Sequence, residues 1–285
     1  MNSNKFFHLL IIPLYFCQFL PTSDAISYDE PKAKEFWFYQ VASLCSLDRL
    51  QAWKVAQVSE LYPNITDIQV FYNNSNLVYT AYNPTENLIW MAFRRTEEIE
   101  NMIEDIDIIQ IDYEGCNGCA IHQGFYDAYL NVRDGLINSF KMLKEKHPNA
   151  KTAILGHSLG AAMSTLAFVD VSKEFGKIDY FYTFGSPRVG NKEFTDYVNN
   201  LEIICNKARI THYQDATPHL PFNFMGYYHV GHEVFYDEAS LKYVICEEDL
   251  EDEKCSMQFG LFELSTHDHV NYMGFDHEVY QKTCQ

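Results

Sequence analysis

The pentapeptide Gly156-His157-Ser158-Leu159-Gly160 sets a serine between two glycines, after the short apolar run Thr152 to Leu155 and before a small-residue stretch that includes Ala161 and Ala162. A G-x-S-x-G pattern between a strand and a helix is the signature of a nucleophile elbow. The serine there occupies a strained, sharp turn that lifts its hydroxyl clear of the sheet, and the glycines keep neighbouring side chains from colliding. The helix that follows aims its N-terminal amides at the reaction centre. A bare pentapeptide also fits a glycine-rich helix start without chemistry. The strand before it and the alanines after it favour the nucleophile.

A serine hydroxyl attacks only when a base takes its proton and a carboxylate orients that base. Behind such an elbow the chain order is serine, then acid, then histidine. "ITHYQDATPHLP" puts Asp215 directly after the alternating run Ala208 to Tyr213 and before a proline-containing loop, the strand-end position that an active-site carboxylate needs. Asp196, on a helical stretch, and Asp237, after the β-rich run Glu233 to Tyr236, are rivals. "STHDHVNYMGF" offers His267 and His269, with His277 beyond, and pattern alone does not separate the first two. His229 and His232, in "YYHVGHEVFY", read as packing or surface histidines. The cluster His267-Asp268-His269 lacks a nearby cysteine or an H-E-x-x-H partner, and the acidic stretch "CEEDLEDEKC" lacks the spaced ligands and glycine of a calcium loop. No metal and no cofactor is expected.

Certain elements must position these residues. From Pro31 to about Leu61 the chain has no glycine and mixes apolar and charged positions at helical spacing, which predicts two helices. Three β-rich segments follow, Ile68 to Tyr72, Leu77 to Tyr82 and Leu88 to Phe93, with turn-rich links: a meander. After Gly124, apolar residues at three- and four-residue intervals predict one long helix that stops at His147-Pro148. A strand (Thr152 to Leu155), a helix (Leu159 to about Phe175), a strand (Tyr180 to Phe184) and a helix (Lys192 to about Asn199) come next. Alternating strands and helices imply right-handed crossovers in a largely parallel sheet. The meander then forms one side of a mixed sheet.

The chain has 285 residues and a formal charge of −18. Lys5, the apolar run Phe6 to Leu20, and Ser23-Asp24-Ala25 describe a secretory signal peptide over residues 1–25, cleaved after Ala25. Residues 26–285 then suit one α/β domain. No other stretch is apolar for long enough to act as a transmembrane anchor. The acidity disfavours nucleic acid and anionic membrane surfaces as partners. Of eight cysteines, Cys17 leaves with the signal. An odd number remains, which predicts disulfides and one free thiol in an oxidising compartment. Asn64-Ile65-Thr66 and Asn73-Asn74-Ser75 are sequons for glycosylation.

Seven stretches in order, "IWMAFRRT", "CNGCAIHQGFYDAY", "AILGHSLGAAMSTLAF", "YTFGSPRVGN", "THYQDATPHLP", "YYHVGHEVFY" and "HDHVNYMGF", carry a resemblance over most of the chain. The sequence resembles the fungal-type secreted triacylglycerol lipases, the class 3 lipases of the α/β-hydrolase fold. The resemblance implies a mixed, mostly parallel central sheet flanked by helices, with a helical lid. It implies Ser158 as nucleophile, Asp215 as acid and His269 as base, because the family's base sits in a D-H-x-x-Y context met by Asp268-His269-Val270-Asn271-Tyr272. It also implies the pairs Cys45 with Cys284, Cys116 with Cys119 and Cys246 with Cys255, leaving Cys205 as a buried free thiol.

The backbone N–H of Leu159 serves the oxyanion by the geometry of the elbow, and the resemblance implies Thr96 as the second donor. The family usually has glycine before this Ser or Thr, whereas this chain reads Phe93-Arg94-Arg95-Thr96. If the position needs positive φ, Arg95 is strained; at the rim of the site it alters substrate access. Next, Ile99, Met102, Ile103 and Ile106 lie on one face of a helix. Periodicity alone favours an ordinary half-buried helix; the resemblance makes it the lid. Its polar face carries Glu97, Glu98, Glu100, Glu104, Asp105 and Asp107, so weak insertion and repulsion from anionic surfaces are expected. The implied activity is that of a secreted, extracellular, monomeric serine carboxylic-ester hydrolase, first a triacylglycerol lipase at an oil–water or lipid interface. A phospholipase or small-ester esterase is the second reading. A catalytically silent lipid-binding relative, motivated by Arg95, is the third.

Overall fold

Strands buried along nearly their whole length belong where both faces are covered, and three of them build the middle of this molecule. The computed structural model describes residues 28–95, 108–246, 251 and 253–284. The signal segment, Thr96, the lid positions Ile99, Met102, Ile103 and Ile106, and the side chain of Cys205 lie outside the described residues.

In chain order, α1 (Glu30–Ala42), α2 (Leu47–Gln51) and α3 (Gln57–Leu61) lead into β1 (Thr66–Asn73), β2 (Asn76–Asn83) and β3 (Leu88–Phe93). The small hairpin β4 (Gln110–Asp112) and β5 (Ala120–His122) precedes α4 (Gln123–Leu130) and α5 (Arg133–Lys146). Then β6 (Lys151–His157), α6 (Leu159–Phe175), β7 (Ile178–Phe184), α7 (Lys192–Asn199) and β8 (Ile203–His212) alternate. The chain closes with β9 (Glu233–Tyr236), β10 (Tyr243–Ile245), β11 (Asn271–Tyr272), β12 (Phe275–Asp276) and α8 (His277–Thr283).

One eight-stranded sheet runs in the order β1-β2-β3-β6-β7-β8-β9-β10. The first three strands pair antiparallel as the expected meander. From β3 to β9 every pairing is parallel, and β10 returns antiparallel. Side chains of β3 divide between the two faces with a period of two: Leu88, Trp90 and Ala92 join the core under α1, while Ile89, Met91 and Phe93 join the core under α5 and α6. The sheet is thus the mixed, helix-flanked one expected of an α/β-hydrolase.

Two local expectations differ from what is observed. The N-terminal region holds three helices rather than two. The long helix after Gly124 breaks at Asn131 and Val132 into α4 and α5. There the tip of the β1–β2 turn reaches over: Asn73 Nδ2 donates to Asn131 O at 3.2 Å and Asn74 Nδ2 to Asn131 Oδ1 at 3.3 Å. Disulfides join Cys45 to Cys284, Cys116 to Cys119 and Cys246 to Cys255, with Cα separations of 4.8, 5.5 and 6.3 Å. The first ties the end of α1 to the residue after α8. The sequon residues Asn64 and Asn73 are both exposed.

Candidate active site

β6 ends at His157, α6 begins at Leu159, and Ser158 makes the turn alone with φ +60°. A side chain in the left-handed region stores strain that the surroundings must hold in place. Those surroundings are backbone. A Cβ on Gly160 would lie 2.1 Å from Phe93 O, at the end of β3, and one on Gly156 would lie 2.3 Å from Gly160 O. The two glycines are therefore required by close packing of strand, turn and helix. Ser158 N donates to Phe184 O at 3.1 Å, and Ala161 N and Ala162 N donate to Ser158 O, so the turn is fixed from both sides. Leu159 opens α6, which leaves its N–H without an intrahelical acceptor.

Asp215 lies just past β8. It turns back on itself, accepting at Oδ1 from Thr217 N at 2.8 Å, an Asx turn that the Asp-Ala-Thr-Pro sequence favours. His269 Nδ1 faces both carboxylate oxygens, at 2.9 and 2.8 Å, and Tyr272 Oη donates to Oδ2 at 2.5 Å. Burial alone would raise the Asp215 carboxyl; the adjacent His269 ring, with hydrogen bonds from His269, Tyr272 and the Thr217 N–H, outweighs that and holds it below the usual carboxylate range. The opposite nitrogen of His269, Nε2, is 3.4 Å from Thr217 Oγ1. Gly185, at φ +51°, fits beneath: an added Cβ would meet Asp215, Tyr272 and His269 atoms at 2.8 to 2.9 Å.

Elbow, acid and base are joined to one another. His157 Nε2 donates to His269 O at 2.9 Å. His212, on β8, donates from Nδ1 to Asp268 O at 2.9 Å, and Ser265 pairs by backbone with Gln214 and Ala216. Ser158 and His269 are fully buried, and Asp215 is 1% exposed. Such a cluster can transfer a proton from a serine to an imidazole whose tautomer a carboxylate fixes.

The other candidates sit apart from it. His267 is exposed and contacts Asn271. Asp196 pairs with Lys192 on α7, and Asp237 caps the loop before β10. His229 donates from Nε2 to Pro218 O at 2.7 Å and is buried, a packing role. His277 stacks on Trp37, ring centroids 4.3 Å apart, and meets His157 edge-on. Arg95 corrects an expectation: it does not adopt positive φ, and it is not at the rim. Its side chain is buried, with Nη2 donating to Gln281 Oε1 on α8 at 3.3 Å.

Sequence reasoning missed Thr217 and Arg188. Arg188, in the "GSPRVG" stretch, donates from Nη1 to His219 O at 2.6 Å and Pro221 O at 2.9 Å, and grips Glu251 with two nitrogens at 2.7 and 2.5 Å. It therefore pins the loop that follows Asp215. A buried arginine with carbonyl partners has no local sequence pattern, whereas the Asx turn at Asp215 was a readable signal for Thr217.

Residues 90–225 match the model of the family described as lipase (class 3). A lipase of Rhizomucor miehei is 32% identical over 220 residues, 74% of this chain and 60% of that protein. A secreted mono- and diacylglycerol lipase A of Penicillium cyclopium is 34% identical over 155 residues, 54% of this chain and 50% of that protein. The chain thus spans 50% to 60% of the length of these curated relatives. Among solved structures, a triacylglycerol lipase described as having a serine-protease triad at its catalytic centre superposes with a TM-score of 0.78 at 27% identity, over 89% of this chain and 98% of that one.

Proposed function

We propose, because the chain belongs to the class 3 lipase family, that it is a secreted serine ester hydrolase acting on acylglycerols. The observation that carries this reading is His269 Nδ1 set against both oxygens of Asp215, beside a serine held at φ +60° in a strand-to-helix elbow.

In this reading Ser158 Oγ attacks the ester carbonyl while His269 Nε2 takes its proton. Asp215 holds the tautomer and steadies the imidazolium that forms. The N–H of Leu159 and, from the resemblance, Thr96 receive the negative charge of the tetrahedral oxygen; one such donor is worth roughly 3 kcal/mol of transition-state stabilisation. His269 returns the proton to the leaving alcohol. Water, activated by the same base, then frees the fatty acid from the acyl-serine.

The substrate is taken to be a lipid ester at an interface, admitted when the segment carrying Ile99, Met102, Ile103 and Ile106 moves aside as a lid. The disulfides, the secreted relative and the N-terminal signal pattern support an extracellular protein, with glycans at Asn64 and Asn73. Among the described residues no helix is long and apolar enough to cross a membrane. The protein acts as a monomer and needs no cofactor. Arg95, buried and without positive φ, lends no support to a silent lipid-binding relative.

Labelling with a fluorophosphonate tests the nucleophile: the wild type is expected to react and Ser158→Ala not to. Triglyceride emulsion, phospholipid vesicles and short soluble esters are then compared, with the emulsion expected to be cleaved fastest. A folded wild type that takes no label sinks the hydrolase reading; preference for phospholipid or for soluble ester replaces the acylglycerol assignment.

A further inference from the structure

The loop that follows the catalytic acid is held from behind by a second loop. Arg188 N donates to Leu220 O at 2.8 Å, and the buried Arg188 side chain donates from Nη1 to His219 O and Pro221 O. Three successive carbonyls of the loop after Asp215 thus end on one residue. The rest of the guanidinium faces the other way: Nε and Nη2 donate to the two oxygens of Glu251, and Nη2 also reaches Met257 Sδ at 3.1 Å. A guanidinium carries five N–H donors in one rigid plane. All of them are matched here, so the fork cannot turn without losing partners on one side or the other.

Glu251 belongs to the loop that the Cys246–Cys255 disulfide closes, and both ends of that loop are tied to the sheet. Cys246 N donates to Glu233 O at 3.0 Å, and Ser256 N donates to Glu233 Oε1 at 3.1 Å. Glu233 opens β9 and is buried, its carboxylate accepting from Arg209 Nη2 and Thr211 Oγ1 of β8. A fixed base therefore carries the Glu251 carboxylate. What that carboxylate steadies, through Arg188, is the setting of the acid and the base. Thr217 gives its N–H to Asp215 Oδ1 and places its hydroxyl 3.4 Å from His269 Nε2, while His219 Nδ1 donates to Asp215 O at 3.1 Å.

We propose that Glu251 is a positioning residue for ester hydrolysis, acting through Arg188 on Asp215 and His269, and that the Cys246–Cys255 loop is the brace that holds it in place. Glu251 touches no reacting atom. Its charge keeps the buried guanidinium paired, so that Nη1 stays on the carbonyls of His219 and Pro221. Without that charge, Nε and one N–H of Nη2 face no acceptor in a buried place, and the fork shifts to find one, which releases the loop. The role in turnover rests on the hydrolase reading; the brace itself does not.

The test is turnover of a soluble p-nitrophenyl ester, with active sites counted by a fluorophosphonate so that kcat refers to competent Ser158, and with Tm measured on the same samples. Glu251→Gln is expected to lower kcat about tenfold and to move KM by less than about twofold. The double variant Cys246→Ser, Cys255→Ser is expected to lose a similar factor. Adding Glu251→Gln to it should cost little more, because both changes act through one contact. Glu251→Asp, which keeps the charge, is expected to retain more kcat than Glu251→Gln, and Glu253→Gln, exposed on the same loop, to match the wild type. A Glu251→Gln protein with lowered Tm but unchanged kcat per site is merely less stable and overturns the proposal. So do a change in KM alone, an equal loss in Glu253→Gln, and losses that multiply when Glu251→Gln is combined with the cysteine variant. If the cysteine variant does not fold, Glu251→Gln beside Glu253→Gln decides the matter. A folded wild type that takes no label sinks the hydrolase reading and this role together, whereas a labelled, active wild type matched by Glu251→Gln removes this role alone.

Discussion

His269 and His277 both pack their rings 4.6 Å from that of His157, and both are shut off from solvent. Their surroundings are opposite in kind. Around His269 each ring nitrogen has a partner, Asp215 on one side and Thr217 Oγ1 on the other. Around His277 neither has, and the ring is held by stacking on Trp37. Burial and aromatic contact are common to the two, so neither makes a base; the carboxylate does, by fixing a tautomer and stabilising the imidazolium. The widest gap between the two positions is therefore expected in turnover. Asp215→Asn should lower kcat by about 10⁴-fold, from the wrong tautomer. His277→Phe should lower it by less than about tenfold, as a residue that touches no reacting atom. Hydrolysis of a soluble p-nitrophenyl ester measures both, and equal losses would erase the distinction.

Gly185 sharpens the contrast from the backbone side. It sits at φ +51° directly under the acid and base, and no equivalent close approach exists at His277. In Gly185→Ala the new methyl meets Asp215 Oδ2, Tyr272 Oη and the His269 ring within 2.9 Å. The strained φ costs about 1–2 kcal/mol, and a displacement approaching 1 Å at the base costs roughly 10²-fold in kcat. A stable variant with unchanged kcat would mean that the pairing around His269 tolerates far more movement than its hydrogen bonds imply.

How readable these two surroundings were from sequence follows from the range of the forces that build them. The meander, the parallel strands and the elbow were legible because each rests on local periodicity or on glycines a few residues apart. Asp215 was legible as a strand-end carboxylate, and its Asx turn is local too. The choice between His267 and His269 was not legible from pattern, since two residues two positions apart in a short loop differ only in which one reaches Asp215; family resemblance supplied it. Arg95 was misjudged because its setting depends on Gln281, 186 positions away. The break between α4 and α5 was hidden for the same reason: the apolar spacing runs through it, and its cause is the Asn73-Asn74 tip of a distant turn.

The buried, uncharged histidines should also show in the pH dependence of stability. His157 and His277 are held well below the ordinary imidazole range, by burial first and then by neighbouring cations, and so is His229 beside Arg209 and Arg188. A depressed folded-state pKa means that the unfolded chain binds more protons below about pH 6.5. The stability these groups contribute is therefore complete above that pH and is lost as the pH falls below it. Each adds a slope of about 1.4 kcal/mol per pH unit. Asp215, whose lowered pKa favours its charged form, contributes only to losses at still lower pH. Calorimetric unfolding between pH 7 and 5 should show a shallower slope in His277→Phe, by about one such increment. An unchanged slope would mean that His277 carries its proton in the folded state.

The smallest effect expected is the most specific to the acid. Tyr272 donates to Asp215 Oδ2, yet it also packs on Trp37 and Phe184, so its ring and its hydroxyl answer separate questions. Tyr272→Phe keeps the packing and removes one of the donors that hold the carboxylate down. The Thr217 N–H and His269 remain, so the loss should be near that of one hydrogen bond, about 1 kcal/mol, or roughly fivefold in kcat/KM. Because the missing donor had favoured the charged carboxylate, the Asp215 pKa should rise, and the acid loss of stability, which starts at the unfolded carboxyl pKa in both proteins, should be smaller and end at higher pH than in the wild type. A purely structural tyrosine would lower Tm without that displacement. The comparison of the two acid-unfolding curves therefore tells whether the hydroxyl acts through Asp215 or only fills space beside it.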